Sequence, residues 1–328
     1  MKAVQLSRFG GPEFLDVVEI DAPKPGPGQV LVRVAASGVN FADTLMRQDR
    51  YAVTPPLPSV LGNEVAGVIE RLGEGVDHLR VGLRVAAALF ATGALGGYAE
   101  YVVADADTVA PLPDALSYED ATALMVQGLT ALHLARRAPP KGKRVLVNAA
   151  AGGVGSLLVQ LAKRAGAATV IAAASSEEKL AFARSLGADL GVNYTREGWS
   201  DVLRASTGGA GPDIIYESVG GDVMDESLKA LAPLGEIVVF GALNIQKFQL
   251  GVPELLGLIF KNQSLTGFAF VPLLTPESLK SGLAELFDLA VRGDLKVTIS
   301  RVYPFSRAGD AHQALAERGT RGKVILTP

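Results

Sequence analysis

Residues 144–167 read RVLVNAAAGGVGSLLVQLAKRAGA, which joins an apolar strand, a glycine-rich turn and an amphipathic helix in direct succession. Glycines in such a turn let the backbone approach a pyrophosphate, which then lies at the helix N-terminus. Ala150 takes the place of the first glycine in the usual G-x-G-x-x-G pattern, so the string alone is a weak match, but the strand before it and the helix after it meet the required context. A turn packed tightly for purely structural reasons is the alternative. The residues that we predict to bind a dinucleotide here are Gly152, Gly153, Val154 and Gly155.

The strand and helix pattern of this stretch repeats through residues 144–241. Five apolar strands are predicted in RVLVN, TVIAAA, LGVNY, DIIYES and GEIVVFG, each separated from the next by a segment of helical periodicity. Near-continuous apolar runs are typical of parallel strands that are buried on both faces. The alternation therefore predicts βαβ units, a doubly wound parallel sheet and the α/β fold class.

The segments on either side of this repeat have a different pattern. Up to about residue 115, short apolar or alternating runs are separated by glycine and proline, which predicts a twisted, mostly antiparallel sheet or partial barrel. Residues 117–137, SYEDATALMVQGLTALHLARR, predict one helix that opens with a capping-type Ser-x-x-Asp. After about residue 263 the chain has too little core to fold alone, so we expect it to fold back onto the N-terminal part.

The end of the second predicted strand indicates which dinucleotide is bound. NAD-binding folds place an Asp or Glu about 20 residues after the first glycine, where it holds the ribose 2′-hydroxyl. Here the strand ends at Ala174 and is followed by Ser175 and Ser176, with Lys179 one turn later. Hydroxyls and an ammonium suit a 2′-phosphate, so Ser175 and Lys179 predict NADPH as the cofactor. The alternative is that Ser175 and Glu178 form a capping box and that Lys179 is a solvated surface lysine.

Composition excludes several classes of protein. The 328 residues are 48% hydrophobic and 20% charged, the net charge is −3, and Lys and Arg are scattered, which argues against a nucleic-acid-binding or membrane-binding surface. No apolar run reaches the ~18 residues of a membrane span, and the first 15 residues lack the apolar core of a signal peptide. The chain has no cysteine, which removes disulfides, thiolate catalysis and cysteine-ligated zinc. We therefore expect a cytoplasmic protein with a small-molecule substrate.

Several blocks in order along the chain resemble one family. They include ASGVNFADTLMRQDRY, PSVLGNEVAGVIERLGEGV, GGYAEY, AAAGGVG, NYTRE and GDLKVTISRVYPF, and together they span nearly the full length. This pattern resembles the zinc-free quinone oxidoreductase (zeta-crystallin-like) branch of the medium-chain dehydrogenase/reductase superfamily. The resemblance implies a GroES-like twisted β catalytic domain in residues 1–122 and 268–328, a Rossmann-type NADPH-binding domain in residues 123–267, and an active site in the cleft between them. It also implies a homodimer that pairs the nucleotide-domain sheets edge to edge, for which the uncharged segment SLTGFAF is a suitable edge strand.

The resemblance bears directly on zinc. In zinc-dependent alcohol dehydrogenases of this superfamily, Cys, His and Cys hold the metal at positions that match Asn40, Asn63 and Gln127. Amides are poor zinc ligands beside thiolate and imidazole, so we predict no metal. Without a Lewis acid, the acceptor must already be electrophilic, as a quinone or an alkene conjugated to a carbonyl is. Glu64, which follows Asn63, is expected to be a buried brace that pairs with an arginine or with backbone amides.

The resemblance also implies roles for individual side chains. Tyr51 matches a cleft tyrosine that can donate a proton, although a loop aromatic that merely covers the site is the alternative. Asn40 is predicted to hydrogen-bond the acceptor oxygen through its amide. The resemblance places Thr130 near the nicotinamide ribose and Tyr194 near the 2′-phosphate, and it places Gly241 and Phe268 at the nicotinamide. For Phe268, ordinary core packing is the alternative.

Three functional hypotheses remain at this point. The first is an NADPH:quinone oxidoreductase. The second is a 2-alkenal or enoyl-thioester reductase (an enoyl reductase) on the same scaffold. The third is an NADPH-binding protein with a non-catalytic, regulatory or RNA-binding role, and the scattered Lys and Arg argue against RNA.

Overall fold

The computed structural model describes residues 1–241, 247 and 249–328 and divides the chain into two units. Unit 1 comprises residues 1–129 and 273–328, and unit 2 comprises residues 130–272. These limits lie a few residues after the sequence-based boundaries at 122/123 and 267/268. Among the helices of the described residues, none is both long and apolar enough to cross a membrane.

Unit 1 is built on two sheets of short strands. Its strands are β1 (Lys2–Leu6), β2 (Leu15–Glu19), β3 (Gln29–Val39), β4 (Ser59–Val60), β5 (Val65–Leu72), β6 (Arg84–Ala87), β7 (Tyr101–Asp105), β8 (Val109–Pro111), β15 (Ile299–Pro304) and β16 (Lys323–Thr327). The larger sheet has the order β15-β16-β3-β5-β6-β8, with β7 also paired to β3, and the smaller sheet has the order β2-β1-β4. All pairs are antiparallel except β15 with β16. The expected twisted, mostly antiparallel sheet is therefore present.

Apolar clusters hold unit 1 together, and two of them lie among the described residues. Val30, Val32 and Val34 alternate along β3 and pack with Val65 and Ile69 of β5. Each such side chain contributes about 1.5–3 kcal/mol when it is fully buried. A second cluster joins the strand β16 to the N-terminal strand; its members include Val4, Leu6, Tyr98, Val324 and Leu326. The C-terminal tail thus folds back onto the N-terminal part, as its weak core predicted.

The helices of unit 1 include one feature that the sequence pattern did not predict. They are α1 (Phe41–Arg47), α2 (Tyr118–Ala123), α9 (Pro276–Val291) and α10 (Ala308–Ala316). After α2 the chain forms a π-helical turn, Leu124–Gly128, before α3 (Leu129–Arg137) begins. The helix predicted over 117–137 and its Ser117 cap are therefore confirmed, and the π turn within it is a detail that the sequence pattern did not indicate. The π turn inserts an extra residue into each hydrogen-bonded ring, and such turns are frequent at functional sites.

Unit 2 is the predicted doubly wound sheet. Its elements are β9 (Arg144–Val147), α4 (Gly153–Arg164), β10 (Thr169–Ala174), α5 (Glu177–Ser185), β11 (Leu190–Asn193), α6 (Trp199–Ser206), β12 (Ile214–Glu217), α7 (Asp222–Ala230), β13 (Glu236–Val239), α8 (Val252–Lys261) and β14 (Ser264–Gly267). All strand pairs are parallel, in the order β11-β10-β9-β12-β13-β14. The segment predicted as an edge strand supplies β14, a sixth strand at one edge. The chain reverses its direction across the sheet between β9 and β12, and such a switch point is where open α/β sheets bind ligands.

Candidate active site

The glycine-rich turn forms a cradle at the carboxyl end of β9. Gly152 is the N-cap of α4, and no side chain in the described part of the molecule caps that helix. A Cβ added to Gly155 would lie 2.3 Å from the carbonyl oxygen of Ala149, so only glycine allows the helix to approach the turn this closely. Ala149 itself has a φ of +50°, a left-handed conformation that costs an L-residue about 1–2 kcal/mol. Uncapped N–H groups and close backbone approach are what a pyrophosphate requires.

A buried polar cluster, which the sequence patterns did not reveal, fixes the switch point beside this turn. Asn148 follows β9 and donates from Nδ2 to Glu217 at the end of β12 and to Ser227 Oγ, the latter at 3.0 Å. The other oxygen of Glu217 accepts from the backbone N–H groups of Val219 and of Gly220. Burial raises the pKa of Glu217, while these hydrogen bonds oppose the rise. The available signal was a polar residue at the carboxyl end of each of two apolar strands, in RVLVN and DIIYES.

Ser175 and Lys179 lie together beyond the carboxyl end of β10. Lys179 Nζ donates to Ser175 Oγ at 3.2 Å. The N-cap of α5 is Ser176, whose Oγ accepts from the Lys179 backbone N–H at 3.3 Å, so the alternative capping box of Ser175 with Glu178 is wrong. Tyr194 follows the neighbouring strand β11, and its backbone N–H donates to Ala174 at 3.2 Å. Three residues predicted at the 2′-phosphate thus follow two adjacent strand ends.

The other predicted cofactor residues lie elsewhere in unit 2. Gly241 follows β13, and an added Cβ would lie 2.8 Å from Cβ of Ser218, beyond the end of β12. Phe268 directly follows β14, is half-buried, and donates its backbone N–H to Val239 at 2.8 Å. Thr130 is buried near the start of α3. Gly241 and Phe268 therefore lie at the same edge of the sheet as the glycine-rich turn, and their contacts with a nicotinamide remain predictions.

In unit 1, the two predicted amides join a buried ion pair. Lys323 on β16 pairs with Glu64, and both side chains are fully buried. Lys323 Nζ also donates to Asn40 Oδ1 at 2.7 Å. Asn40 Nδ2 donates to Glu64 Oε1 at 2.8 Å and to Asn63 Oδ1 at 3.3 Å. We call Asn40, Asn63, Glu64 and Lys323 the amide cluster.

Glu64 is the brace that was predicted, with one difference in its partner. Its Oε2 accepts from the backbone N–H of Val126 in the π turn at 2.7 Å, and its cation is Lys323 instead of an arginine. Gly38 on β3 leaves room for the carboxylate, since a Cβ there would lie 2.2 Å from Oε1. Sequence spacing could not reveal Lys323, because it lies 283 residues from Asn40.

The engagement of Asn40 changes its predicted role. Asn40 is only 6% exposed, and both N–H groups of its amide are directed to protein acceptors. Its backbone N–H donates to Asp43 Oδ2 at 2.7 Å in a capping box that begins α1. Asn40 therefore has no amide hydrogen left for a substrate and acts instead within the cluster.

A second polar network lies buried beside α1. Tyr98 Oη donates to Asp43 Oδ2 at 3.0 Å and lies 3.2 Å from His312 Nε2. Burial raises the pKa of Asp43 to about 6, against the lowering effects of its hydrogen bonds and of Lys323. Burial and the charge of Arg47 lower the pKa of His312 to about 3, so this histidine is neutral at physiological pH.

Tyr51 lies four residues after α1 and is 42% exposed. Partial burial of its hydroxyl and the negative charge of Asp43 raise the pKa of Tyr51 above its ordinary value of 10. The phenol thus keeps its proton at neutral pH and is available as a donor.

Two family models match successive parts of the chain. Residues 26–114 match the family model for the alcohol dehydrogenase GroES-like domain, and residues 153–288 match the model described as zinc-binding dehydrogenase. The two matches place the chain in the class of dehydrogenase-type oxidoreductases that contain a GroES-like domain. A quinone oxidoreductase of Pseudomonas aeruginosa is 37% identical over 331 residues, covering 100% of this chain and 99% of the relative.

Two further relatives bear on the chemistry. The crystal structure of Escherichia coli quinone oxidoreductase complexed with NADPH superposes with a TM-score of 0.92 at 35% identity and covers 100% of both chains. A 2-haloacrylate reductase of Burkholderia sp. is 35% identical over 99% of this chain and 98% of the relative. The chain belongs to the zinc-free quinone oxidoreductase branch of the medium-chain dehydrogenase/reductase superfamily.

The residues at the metal position do not fit zinc, despite the description of the matching family model. Asn40, Asn63 and Gln127 offer amides where thiolate and imidazole are needed. The Lys323 ammonium already binds Asn40 Oδ1, so a dication at that oxygen would meet a buried positive charge. No group of three His, Cys, Asp or Glu side chains able to hold a metal occurs in the part of the chain that the structure describes.

Proposed function

We propose that this protein is a zinc-independent, NADPH-dependent oxidoreductase that transfers a hydride to a quinone. The observation that carries the proposal is the amide cluster. In it the buried Lys323 ammonium binds Oδ1 of Asn40, the first of the three residues at the metal position. Such a site cannot polarise a simple ketone or an alcohol as a metal ion would. A quinone needs no such activation, because its carbonyl groups make the ring a ready hydride acceptor.

The cofactor is proposed to bind at the carboxyl edge of the sheet in unit 2. Gly152, Gly153, Val154 and Gly155 would hold the pyrophosphate at the N-terminus of α4, and Ser175, Lys179 and Tyr194 would hold the 2′-phosphate. Thr130, Gly241 and Phe268 are proposed to line the nicotinamide. The hydroxyl and ammonium beyond β10 favour NADPH over NADH, because a carboxylate at that place would repel a 2′-phosphate. The NADPH complex of the Escherichia coli relative supports the same choice.

When bound, NADPH supplies the hydride. Its transfer leaves negative charge on the acceptor oxygen, which then takes a proton to give the hydroquinone. The Tyr51 hydroxyl is the proposed donor of that proton, because it is protonated at neutral pH and partly accessible. Solvent water can also protonate a hydroquinone oxygen, so this donor is not obligatory for a quinone. Asn40 is proposed to support the site indirectly, because its amide donates to Glu64 and so holds the amide cluster in place.

The test is an acceptor panel. Purified protein is mixed with NADPH or NADH, and oxidation at 340 nm is followed with benzoquinone, naphthoquinones, a 2-alkenal and a simple ketone. We expect turnover with quinones, a preference for NADPH and none with the ketone. No oxidation of NADPH above background across the quinones would refute the proposal.

A second candidate is reduction of an activated alkene, as in a 2-alkenal or enoyl-thioester reductase. The name of the 2-haloacrylate reductase relative favours it. Tyr51→Phe separates the two, because carbon protonation of an enolate depends more on a placed acid than oxygen protonation of a hydroquinone does. Turnover of an enone should fall ~10²-fold or more, while quinone turnover should barely change. Tight NADPH binding without turnover of any acceptor would instead support the non-catalytic alternative.

We also propose a homodimer formed through the β14 edge of unit 2. The strand is short, uncharged and unpaired on its outer side among the described strands, and such edges need a cover. The preceding helix α8 exposes apolar side chains, namely Val252, Leu255, Leu256, Ile259 and Phe260. A second copy would extend the sheet and cover this helix. Light scattering should give twice the chain mass, and a monomer would contradict the proposal. Dependence on NADPH, an intracellular reductant, supports a cytoplasmic location.

A further inference from the structure

We infer that Asn63, and not Asn40, presents an amide N–H to the oxygen of the acceptor, and that Lys323 fixes its orientation through Asn40. The inference rests on the proposed quinone reduction and adds a donor to it. It follows from the direction of each hydrogen bond in the amide cluster.

The first step concerns Lys323. An ammonium group has three donors and no acceptor, so the atom of Asn40 that faces it at 2.7 Å must be Oδ1. The ion pair with Glu64 holds the ammonium in place, because both side chains are fully buried. The amide of Asn40 therefore cannot flip without placing N–H groups against a cation.

The second step passes this orientation to Asn63. With Oδ1 of Asn40 on Lys323, its Nδ2 faces Glu64 at 2.8 Å and Asn63 at 3.3 Å. A donor on Asn40 needs an acceptor, so Asn63 turns Oδ1 inward. The backbone of Asn63 is also held, since its carbonyl accepts from the Phe90 N–H at 2.9 Å.

The third step concerns the remaining end of the Asn63 amide. Within residues 1–241, 247 and 249–328, its Nδ2 has no hydrogen-bond partner, and it is not one of the buried unpartnered polar atoms. Because the residue is half-buried and this nitrogen is not among the buried atoms, Nδ2 is at least partly accessible, and both of its hydrogens are free of a partner among these residues. Asn63 is thus a pre-oriented neutral donor that cannot present its oxygen instead.

Such a donor suits an acceptor oxygen that gains negative charge as the hydride arrives. A fixed donor aimed at developing charge needs no reorganisation, and loss of one costs about 10²–10³-fold in kcat in enzymes that use it. Asn63 thereby stabilises the developing charge through a neutral hydrogen bond, which is enough for a quinone but weaker than the polarisation that a metal ion supplies.

Asn63→Ala, which removes the donor without adding charge, tests the role of Asn63. We expect kcat with a benzoquinone to fall about 10²-fold while KM for NADPH stays unchanged, and Asn63→Ser, which restores a hydroxyl donor, to recover part of the loss. Gln5→Glu alters an amide on β1 outside the cluster and should leave kcat unchanged. If the wild-type protein oxidises NADPH with the quinone and Asn63→Ala stays within threefold of it, the inference is overturned. Inactivity of the wild type would instead refute the proposed function.

The orienting role of Asn40 is tested by a double-mutant cycle. Asn40→Asp keeps an acceptor for Lys323 but removes the hydrogen bond to Asn63. In that background Asn63→Ala should cost less than about fivefold in kcat, because the amide is no longer held. An undiminished loss in both backgrounds would overturn the relay, and thermal melts identify any variant that fails to fold.

Discussion

Replacement of Lys323 by Met tests whether the buried ion pair supports unit 1. The substitution keeps an unbranched side chain of similar length but removes the ammonium and its bonds to Glu64 and Asn40. Glu64 then stays fully buried with a net negative charge, and among the described residues its carboxylate keeps the bonds from the Asn40 amide and the Val126 N–H. Breaking a buried pair by removing one partner costs about 3–5 kcal/mol.

The assay is urea unfolding followed by far-UV circular dichroism. A slope of about 2 kcal/mol per molar urea makes the expected midpoint shift about 2 M. Trp199, the only tryptophan of the chain, lies in unit 2, so its fluorescence gives a separate reference signal. Lys280→Met is the matched control, because it removes the same ammonium group from a surface ion pair. Lys280 is 38% exposed and its Nζ lies 3.8 Å from Asp107 Oδ1, and such a pair contributes about 0–1 kcal/mol.

The double variant makes the reasoning refutable. Glu64→Gln with Lys323→Met removes both charges, so it should destabilise less than the sum of the two single changes by at least about 2 kcal/mol. Additive losses would show that the two charges do not compensate each other. A Lys323→Met protein within about 1 kcal/mol of wild type would show the same.

Three other predictions follow from the site. Lys179→Ala should raise KM for NADPH about tenfold and leave KM for NADH nearly unchanged, as measured by initial rates at 340 nm. Equal effects on the two KM values would show that Lys179 does not bind the 2′-phosphate. Gly155→Ala should weaken NADPH binding in a fluorescence titration and destabilise the protein by about 1–3 kcal/mol, because its Cβ would meet a carbonyl oxygen at 2.3 Å; unchanged binding and stability would contradict the close approach of α4 to the turn. Stability against pH should depend on two buried groups in opposite directions. The pKa of Asp43 rises from 3.8 unfolded to about 6 folded, so the folded state holds an extra proton between about pH 4 and 6 and gains stability as the pH falls through that window. The pKa of His312 falls from 6.5 unfolded to about 3 folded, so the unfolded state holds the extra proton and stability falls as the pH drops below 6.5. Asp43→Asn should therefore steepen the loss of stability at acid pH by up to about 1.4 kcal/mol per pH unit, and His312→Gln should flatten that loss by a similar amount. Urea midpoints at pH 4.5, 5.5 and 6.5 measure both slopes. If the two variants changed the slope in the same direction, the opposite pKa shifts given to Asp43 and His312 would be contradicted.

Local periodicity predicted unit 2 well, because its strands and helices follow directly from their own sequences. The glycine-rich turn between β9 and α4 is set by Gly152 and Gly155 within a few residues, and the structure places both where the pattern required. The alternative N-cap prediction at Ser175 was wrong by one residue. Ser175 and Ser176 both precede an acidic first turn, and only the backbone conformation decides that the Ser176 hydroxyl reaches the N–H of Lys179.

The amide cluster could be predicted only in part. Asn40, Asn63 and Glu64 lie in recognisable segments, and the burial of Glu64 followed from its apolar neighbours. Lys323 has no local feature that distinguishes it from a surface lysine, because its burial arises from the pairing of β16 with β3. The engagement of both Asn40 N–H groups likewise depends on that distant cation, so the sequence assigned Asn40 a contact that Asn63 is better placed to make.

The distance along the chain between Asn40 and Lys323 also has a consequence for synthesis. Residues 130–272 form unit 2 as one uninterrupted segment, so it can fold while the rest of unit 1 is still being made. Unit 1 cannot, because its ion pair and the pairing of β3 with β16 wait for residue 323. A ribosome that stalls before that point leaves a nascent chain with a folded nucleotide-binding unit and a Glu64 without its cation. Such a chain would expose an unfinished sheet to chaperones and proteases.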